Sequence, residues 1–436
     1  MTSAGGVSLR GRLEELYRFE RSSMRPGLAG IERLLNRVGR PERLFPSVLI
    51  AGTNGKGSTA AHLASILKSA GLRVGLYTSP HLLRFHERIR IDGEEISDEA
   101  LDRLLERWWP VFEEEHPSFF EAATALCFEY FAEQSLDFAV VEVGLGGRLD
   151  STNILEPRVS VITTISSDHT EILGHSLRRF AIEKAGIIRP GRPLVLGVEE
   201  RSAKSAILEV ATERGARVES LGRSNGFRIL GDGPEGTEFR LRTSSFSGAL
   251  RTPLHGRHQA RNAALAALAA EAALQGRPAE TIARGIERGI AATRWPARAE
   301  WIDGDPPILV DVAHNVEGAA SLAATLAGLY PGRPAAVVAG FSRDKAHGQI
   351  LRALARVAGR FYLTQFAGER ATPAVELLRE APAGPVGCEA VPSVAEAISR
   401  AADWARPRGG VVVLTGSFFL VAEALPILGR DVPRAL

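Results

Sequence analysis

Five short, apolar, β-branched runs, at residues 48–51, 74–78, 138–143, 159–164 and 194–198, are each separated from the next by an amphipathic stretch of helix length or by a loop. A continuous apolar run suits a strand buried on both faces, and a helical repeat between consecutive runs supplies the crossover that parallel pairing needs. The pattern predicts βαβ units and a mostly parallel sheet. Between residues 217 and 253 the texture changes to short alternating stretches such as 239–242, which predicts a small antiparallel addition. Two helices follow, an alanine-rich one over 259–274 and one opening at Pro278, a residue suited to the first helical position. Thr293-Arg294-Trp295-Pro296-Ala297-Arg298 has a proline and no periodicity, so a domain junction is expected there. Beyond it, strands expected at 308–311, 335–339, 361–364, 386–390 and 411–415 alternate with helices and predict a second, smaller doubly wound domain.

With 436 residues, 45% of them hydrophobic, the chain is long for one core and two domains are expected, at 1–296 and 297–436. The formal net charge is only +2, and no basic block interleaved with aromatics tracks a nucleic-acid backbone, so nucleic acid is not an expected partner. No run approaches the roughly 18 apolar residues of a membrane span, and the first 20 residues carry no apolar signal core; a cytoplasmic, monomeric protein is expected. Cys127 and Cys388 stand far apart and away from other ligand residues, and both read as small buried apolar groups. Of the 53 basic residues only Lys56, Lys68, Lys184, Lys204 and Lys345 are lysines. Where arginine serves as the general surface cation, each lysine raises the question of whether a compact, deprotonatable amine is needed.

The strongest local pattern is Ala51-Gly52-Thr53-Asn54-Gly55-Lys56-Gly57-Ser58, between a buried strand and a helix expected to start at about Ser58. Glycines let backbone N–H groups of Asn54, Gly55 and Gly57 turn toward phosphate oxygens, and the helix N-terminus adds its positive dipole end. Lys56 can then reach terminal phosphates and the Ser58 hydroxyl can ligate Mg²⁺. The chain is therefore read as α/β, with a P-loop-type, mostly parallel sheet domain bearing the antiparallel addition, plus a smaller Rossmann-like C-terminal domain. Glu142 ends a buried strand, where open α/β sheets place ligand groups, and a carboxylate beside a phosphate loop suits a Mg²⁺ bridging phosphates. Asp311 ends the strand of residues 308–310 in the same manner. Phe119-Phe120 at a helix start reads, as a bare pattern, as core.

The spacing G-T-x-G-K-x-[ST] resembles the phosphate loop of the Mur ligase superfamily, and G-T-N-G-K-G-S its folylpolyglutamate synthase branch. Residues 142–153, E-V-G-L-G-G-R-L-D-S-T-N, are similar to that branch's signature. So, in order along the chain, are Ser79-Pro80-His81-Leu82, Ser167-Asp168-His169, Glu183-Lys184-Ala185-Gly186-Ile187, Gly256-Arg257-His258-Gln259 with Asn262, Asp311-Val312-Ala313-His314-Asn315 and Thr415-Gly416-Ser417. The resemblance runs from about Leu28 to Ala424.

It implies an ATP-dependent ligase that adds L-glutamate to dihydropteroate and to reduced folates through an acyl phosphate, with two Mg²⁺ ions. Asn262, Arg298 and Asp311 would contact ATP, and His314 would lie near the transferred phosphoryl group. Glu142 and Ser58 would hold one Mg²⁺ and His169, which read alone is a helix-capping neighbour, the second. Lys184 matches a lysine that the family carries as a carbamate, a role open to an amine and closed to arginine. The pterin would meet Gly30, Ile31, Pro80, His81, Phe120, Glu121 and Asp150. The family usually has glycine where Ala297 stands, and Lys345 matches an Asp-Lys element without an assigned role. A folylpolyglutamate synthase lacking the dihydropteroate activity, a cell-wall Mur ligase and a nucleotide-binding sensor are the competing readings; Gly57 in place of a threonine counts against the cell-wall ligase.

Overall fold

The structure is a computed structural model, and it describes residues 8–19, 27–166, 176–222 and 225–430. The apolar runs form an eight-stranded sheet from β1 (Ser47–Ala51), β2 (Val74–Tyr77), β3 (Ile89–Ile91), β4 (Glu94–Glu95), β5 (Phe138–Glu142), β6 (Val159–Ile162), β7 (Leu194–Leu196) and β8 (Val218–Ser220). Its spatial order is β4-β3-β2-β5-β1-β6-β7-β8, parallel from β2 to β8. β1 and β5 are buried throughout, as a parallel sheet covered on both faces demands. They lie side by side with Ile50 opposite Glu142, so the base of the phosphate loop is one strand away from that carboxylate.

Several details depart from the sequence reading for identifiable reasons. β3 and β4 add an antiparallel edge, hidden from an apolar-pattern search because their charges pair internally: buried Arg90 lies 3.1 Å from Glu95. β8 pairs parallel with β7, so the antiparallel addition begins later than residue 217. That addition is β9 (Gly226–Gly233), β10 (Gly236–Arg242) and β11 (Ser247–Thr252). The phosphate-loop helix, Lys56–Ser69, starts two residues earlier than expected because Gly55, at φ 82°, ends the loop at once. Two N-terminal helices, Leu9–Arg18 and Ala29–Arg37, were not anticipated; Leu16, Ile31, Leu34 and Leu35 tie them to the core. Cys127 is buried, whereas Cys388 is only half-buried, on strand β16 (Gly387–Ala390) near the edge of the C-terminal sheet.

The chain divides into two compact units. The first comprises Met1–Gly226, Thr243–Phe246 and Ala264–Gly289; the second comprises Phe227–Arg242, Ser247–Ala263 and Ile290–Leu436. The second holds a six-stranded sheet of β12 (Glu300–Ile302), β13 (Ile308–Val310), β14 (Ala335–Ala339), β15 (Ala358–Leu363), β16 and β17 (Val411–Thr415). The order is β12-β13-β17-β14-β15-β16, and all but the β12 edge run parallel. The loops after β13 and β17 therefore emerge side by side at the carboxyl edge. Among the described residues no helix is long and apolar enough to cross a membrane.

In the first unit Gly289 lies against the phosphate-loop helix. A Cβ there would stand 2.4 Å from Ile66 Cα, and the Ser65 hydroxyl donates to the Gly289 carbonyl at 2.7 Å. Backbone meets backbone, so neither side can yield by a rotamer change. Gly289→Ala is expected to lower unfolding stability by about 1–3 kcal/mol, the usual range for overpacking, measured by urea titration.

Candidate active site

The phosphate loop is held in shape by the end of β6. Gly52 is at φ 156°, and a Cβ on it would lie 1.9 Å from Thr163 Oγ1. The Thr163 hydroxyl donates to the Asn54 carbonyl at 2.7 Å, the Thr53 N–H donates to the Thr164 carbonyl at 2.8 Å, and the Asn54 N–H donates to Thr164 Oγ1 at 3.0 Å. Thr53 and Ser166 add a side-chain to backbone pair at 3.1 Å. Lys56 Nζ donates to the Thr53 carbonyl at 3.3 Å, curling over the loop. Gly57 and Ser58 begin the buried face of the helix. The pattern of Thr163, Thr164 and Ser166 is a feature the sequence reading missed, although the T-T-I-S run directly after a strand signals it.

Glu142 is buried at the end of β5, and its Oε2 accepts from the Ser79 N–H at 3.1 Å, which joins the Ser79-Pro80-His81 segment to this carboxylate. The glycine-rich turn that follows packs on the end of the helix Leu177–Ala185. A Cβ on Gly147 would stand 2.9 Å from Lys184 Cα, and the Arg148 N–H donates to the Glu183 carbonyl at 2.9 Å. Two motifs more than thirty residues apart thus interlock and fix the backbone of Lys184, whose side chain is buried. Asp150 closes the same turn. Its Oδ2 accepts from the Leu145 N–H at 2.8 Å and its Oδ1 from the Thr152 N–H at 3.0 Å. Burial raises its pKa, while these N–H groups and the Thr152 hydroxyl pull it back down.

Glu121 caps its own helix, Phe119–Glu133, with Oε2 accepting from the Ser118 N–H at 2.8 Å and the Ser118 hydroxyl at 2.7 Å. Its Oε1 faces Gly30 so closely that a Cβ there would be 1.9 Å away. A cleft of about 150 Å³ opens at this place, lined by Gly30, Arg33, His116 and Glu121 among others. Ile31, by contrast, is wholly buried in the core, so its side chain does not line a site. Phe119 is core, under the Arg88 guanidinium at 5.0 Å, whereas Phe120 is half-buried and lies against Gly144 and Tyr77. Pro80 is exposed and His81 half-buried, its Nδ1 accepting from Arg88 Nε at 2.8 Å. His169 lies outside the described residues. Among the described residues no group of three or more His, Cys, Asp or Glu side chains converges on a metal position.

In the second unit Asp311 follows β13. Its Oδ2 accepts from the Ala299 N–H and its Oδ1 from the Ala313 N–H, both at 2.7 Å. Burial raises its pKa and the nearby Arg298 charge opposes that rise. Ala297 and Ala299 both adopt left-handed φ, 55° and 50°. That conformation suits glycine and costs a residue with a Cβ about 1–2 kcal/mol. Ala297 therefore occupies a glycine-type position, held by its N–H to Glu300 Oε2 at 2.8 Å. Arg298 lies 5.1 Å from the Phe418 ring and the His314 ring 5.9 Å from the same ring, so Phe418 backs both side chains; it too escaped the sequence reading, although it directly follows Thr415-Gly416-Ser417. His314 Nδ1 lies 2.9 Å from the Val312 carbonyl. Asn262 Nδ2 donates to Gln259 Oε1 at 3.1 Å, both buried. Lys345 pairs with Asp344 at 3.2 Å.

Residues 50–270 match the family described as Mur ligase middle domain, and residues 297–418 match Mur ligase, glutamate ligase domain. The chain is 34% identical over 410 residues to a dihydrofolate synthase/folylpolyglutamate synthase of Bacillus subtilis, spanning 92% of this chain and 94% of that one. It is 34% identical over 403 residues to the Escherichia coli protein of the same description, spanning 92% and 91%. Among solved structures, Mycobacterium tuberculosis folylpolyglutamate synthase with ADP and AMPPCP superposes with a TM-score of 0.89 at 32% identity, over 97% of this chain and 100% of that one. Escherichia coli FolC in complex with DHPP and ADP gives 0.85 at 30% identity, over 98% and 99%.

His62, on the phosphate-loop helix, is wholly buried and His258 half-buried; desolvation, helped at His258 by the Arg298 charge, lowers their pKa values to about 3 and about 4. A folded pKa below the unfolded value of 6.5 means that the stability contributed is complete above pH 6.5 and is lost as pH falls toward the folded pKa. Each neutral histidine is expected to cost about 2 kcal/mol by pH 5. The urea midpoint should fall between pH 7 and pH 5, and His62→Gln should flatten that fall.

Proposed function

The chain belongs to the Mur ligase family, in its dihydrofolate synthase/folylpolyglutamate synthase branch, and on that premise we propose how its residues carry the branch's reaction. It is an ATP-dependent ligase that joins L-glutamate to dihydropteroate, making dihydrofolate, and to reduced folates, extending their glutamate tail. The observation that carries the residue assignment is the phosphate loop opening the Lys56–Ser69 helix one strand away from the buried carboxylate of Glu142. We assign ATP binding to residues 1–296 and the glutamate-ligase role to 297–436, in a monomer working in the cytoplasm.

Amide formation in water requires the substrate carboxylate to be activated. Gly55 and Gly57 present backbone N–H groups to the ATP phosphates, Asn54, its own N–H taken by Thr164 Oγ1, holds the loop's shape beside them, and Lys56 offsets negative charge as the γ-phosphoryl passes to the carboxylate oxygen. Asn262, Arg298 and Asp311 hold the nucleotide, the last through a carboxylate already oriented by two backbone N–H groups. His314, steadied by the Val312 carbonyl and Phe418, attends the transferred group. The α-amine of L-glutamate then attacks the acyl phosphate, the C–N bond forms, and phosphate leaves.

The donors at Ser58 and Glu142 are both hard oxygens, and Glu142 is buried with one oxygen met by a backbone N–H, which fits a divalent cation of the Mg²⁺ type. When bound, Mg²⁺ neutralises charge on the phosphates. His169 is assigned to a second Mg²⁺. For Lys184, interlocking with the glycine-rich turn supports a side chain held in place, and we infer a carbamate: the neutral amine adds CO₂ and releases a proton, turning a cation into an oxygen anion. On the pterin side, Glu121, Phe120, Pro80 and His81 form the wall, with the backbone of Gly30 and Ile31 opposite. Asp150, whose two oxygens both serve the turn, acts by shaping it.

Purified protein with Mg·ATP and L-glutamate is expected to release phosphate and glutamylate both dihydropteroate and tetrahydrofolate; product only with tetrahydrofolate leaves a single-activity synthase, and neither product overturns the assignment. Lys56→Ala should lower kcat by about 10²–10³-fold, the effect of losing a donor aimed at transition-state charge. Lys184→Arg should be similarly impaired. Intact mass under mild conditions should show one CO₂ added to the wild type and none on Lys184→Arg; an unmodified wild type with full activity rejects the carbamate.

A further inference from the structure

His81 lies in the loop after β2, with its ring 5.8 Å from that of Tyr17 and 6.5 Å from that of Phe85. Its Nδ1 is 2.8 Å from Arg88 Nε. Arg88 is itself buried, at the end of the single-turn helix Phe85–Arg88, with its guanidinium against the Phe119 ring at 5.0 Å. It is thus held from two sides.

An arginine Nε carries a hydrogen and has no acceptor lone pair, so in this contact Nδ1 of His81 must accept. A neutral imidazole has one N–H, and with Nδ1 accepting, the proton sits on Nε2. Burial first, and then the nearby Arg88 and His86 charges, push the His81 pKa down to about 3, which keeps the ring neutral near pH 7. Among the described residues Nε2 has no hydrogen-bond partner, and the half-buried ring packs on Tyr17 and Phe85, which both also contact the ring of Phe119, the neighbour of Phe120 and Glu121 in sequence. A neutral, fixed tautomer with its donor unspent is a directional recognition group.

We propose that Arg88 is a positioning residue: it locks His81 in the Nε2–H tautomer, so that His81 serves only as a hydrogen-bond donor to an acceptor atom of the bound pteridine, opposite in polarity to the Glu121 carboxylate. This rests on the folate reading above. Arg88 touches no reacting atom; its effect passes through the ring it orients. Loss of the lock leaves a ring that spends part of its time with the proton on Nδ1, where Nε2 can only accept and meets the ligand acceptor with a lone pair.

The test combines a proton readout with kinetics on the full chain. In ¹⁵N-histidine-labelled, ligand-free protein at pH 7, long-range ¹H–¹⁵N correlation is expected to show His81 protonated at Nε2 alone. Arg88→Met should give a tautomer mixture and raise KM for dihydropteroate about tenfold, the effect of one hydrogen bond, with KM for ATP and kcat changed by less than about twofold. Arg88→Lys, which keeps a donor, should recover most of the KM; it also carries the test if Arg88→Met fails to fold. His81→Gln, which retains a donor near the Nε2 position, should bind dihydropteroate better than His81→Leu. A wild-type ring protonated at Nδ1, or at both nitrogens, overturns the proposal, as does a switched tautomer with unchanged KM for dihydropteroate. If no pterin is glutamylated at all, the folate reading fails and the ligand half of the proposal with it, while the ligand-free spectrum still decides the role of Arg88.

Discussion

Where β1 and β6 end side by side, the Thr163 hydroxyl reaches the Asn54 carbonyl, and Thr164 takes up both the Thr53 and Asn54 N–H groups through its carbonyl and hydroxyl. These contacts consume the outward-facing hydrogen-bonding groups at the start of the phosphate loop. They are possible only because Gly52 has no side chain to meet Thr163. Once this corner is set, Gly55 can turn the chain directly into the Lys56–Ser69 helix, and the helix in turn packs against Gly289 through Ser65 and Ile66. Loop, sheet and covering helices are consequences of one close approach between two neighbouring strands.

Both units hold some of their buried carboxylates, those at turns, in the same way. Asp150, Asp311 and Glu87 each receive two or more backbone N–H groups, and Glu121 receives one together with a hydroxyl. A carboxylate satisfied by backbone is immobile, and it shapes the loop whose N–H groups it collects. Buried carboxylates elsewhere take a guanidinium, Arg40 on Glu42 and Arg107 on Glu129, both at 2.6 Å. Arginine is also used against aromatic rings, as with Arg88 on Phe119 and Arg298 on Phe418.

Much of this was legible in the sequence because it is periodic. Continuous β-branched runs located the central strands to within a residue or two, and glycine, lysine and serine between a strand and a helix located the phosphate loop. What escaped was stabilised by pairing that leaves no periodic mark. The β3–β4 edge carries Arg90 and Glu95 facing each other, β12 is a three-residue edge strand, and the N-terminal helices place only a few leucines and an isoleucine inward. Buried carboxylates at strand ends, Glu142 and Asp311, were legible as candidates from the strand pattern alone. Residues were obscure where their importance comes from a partner distant in sequence, as with Thr163 for the loop and Phe418 for Arg298. Ile31 shows the opposite error: a residue beside a candidate site in sequence points into the core.

The first unit is completed in sequence by Gly289, whereas the second draws on Phe227–Arg242 and Ser247–Ala263 and then needs everything from Ile290 onward. On the ribosome the two therefore mature out of step. By the time residue 289 has emerged, the first core has all its strands and helices, but β9, β10 and β11 have been made without the sheet of their own unit. Their antiparallel pairing is local, between segments joined by short turns, so it can form early and wait. A nascent chain stalled near residue 290 should accordingly be a finished phosphate-loop unit carrying a preformed hairpin sheet, and translation of the last third of the chain sets the time at which the second unit can appear.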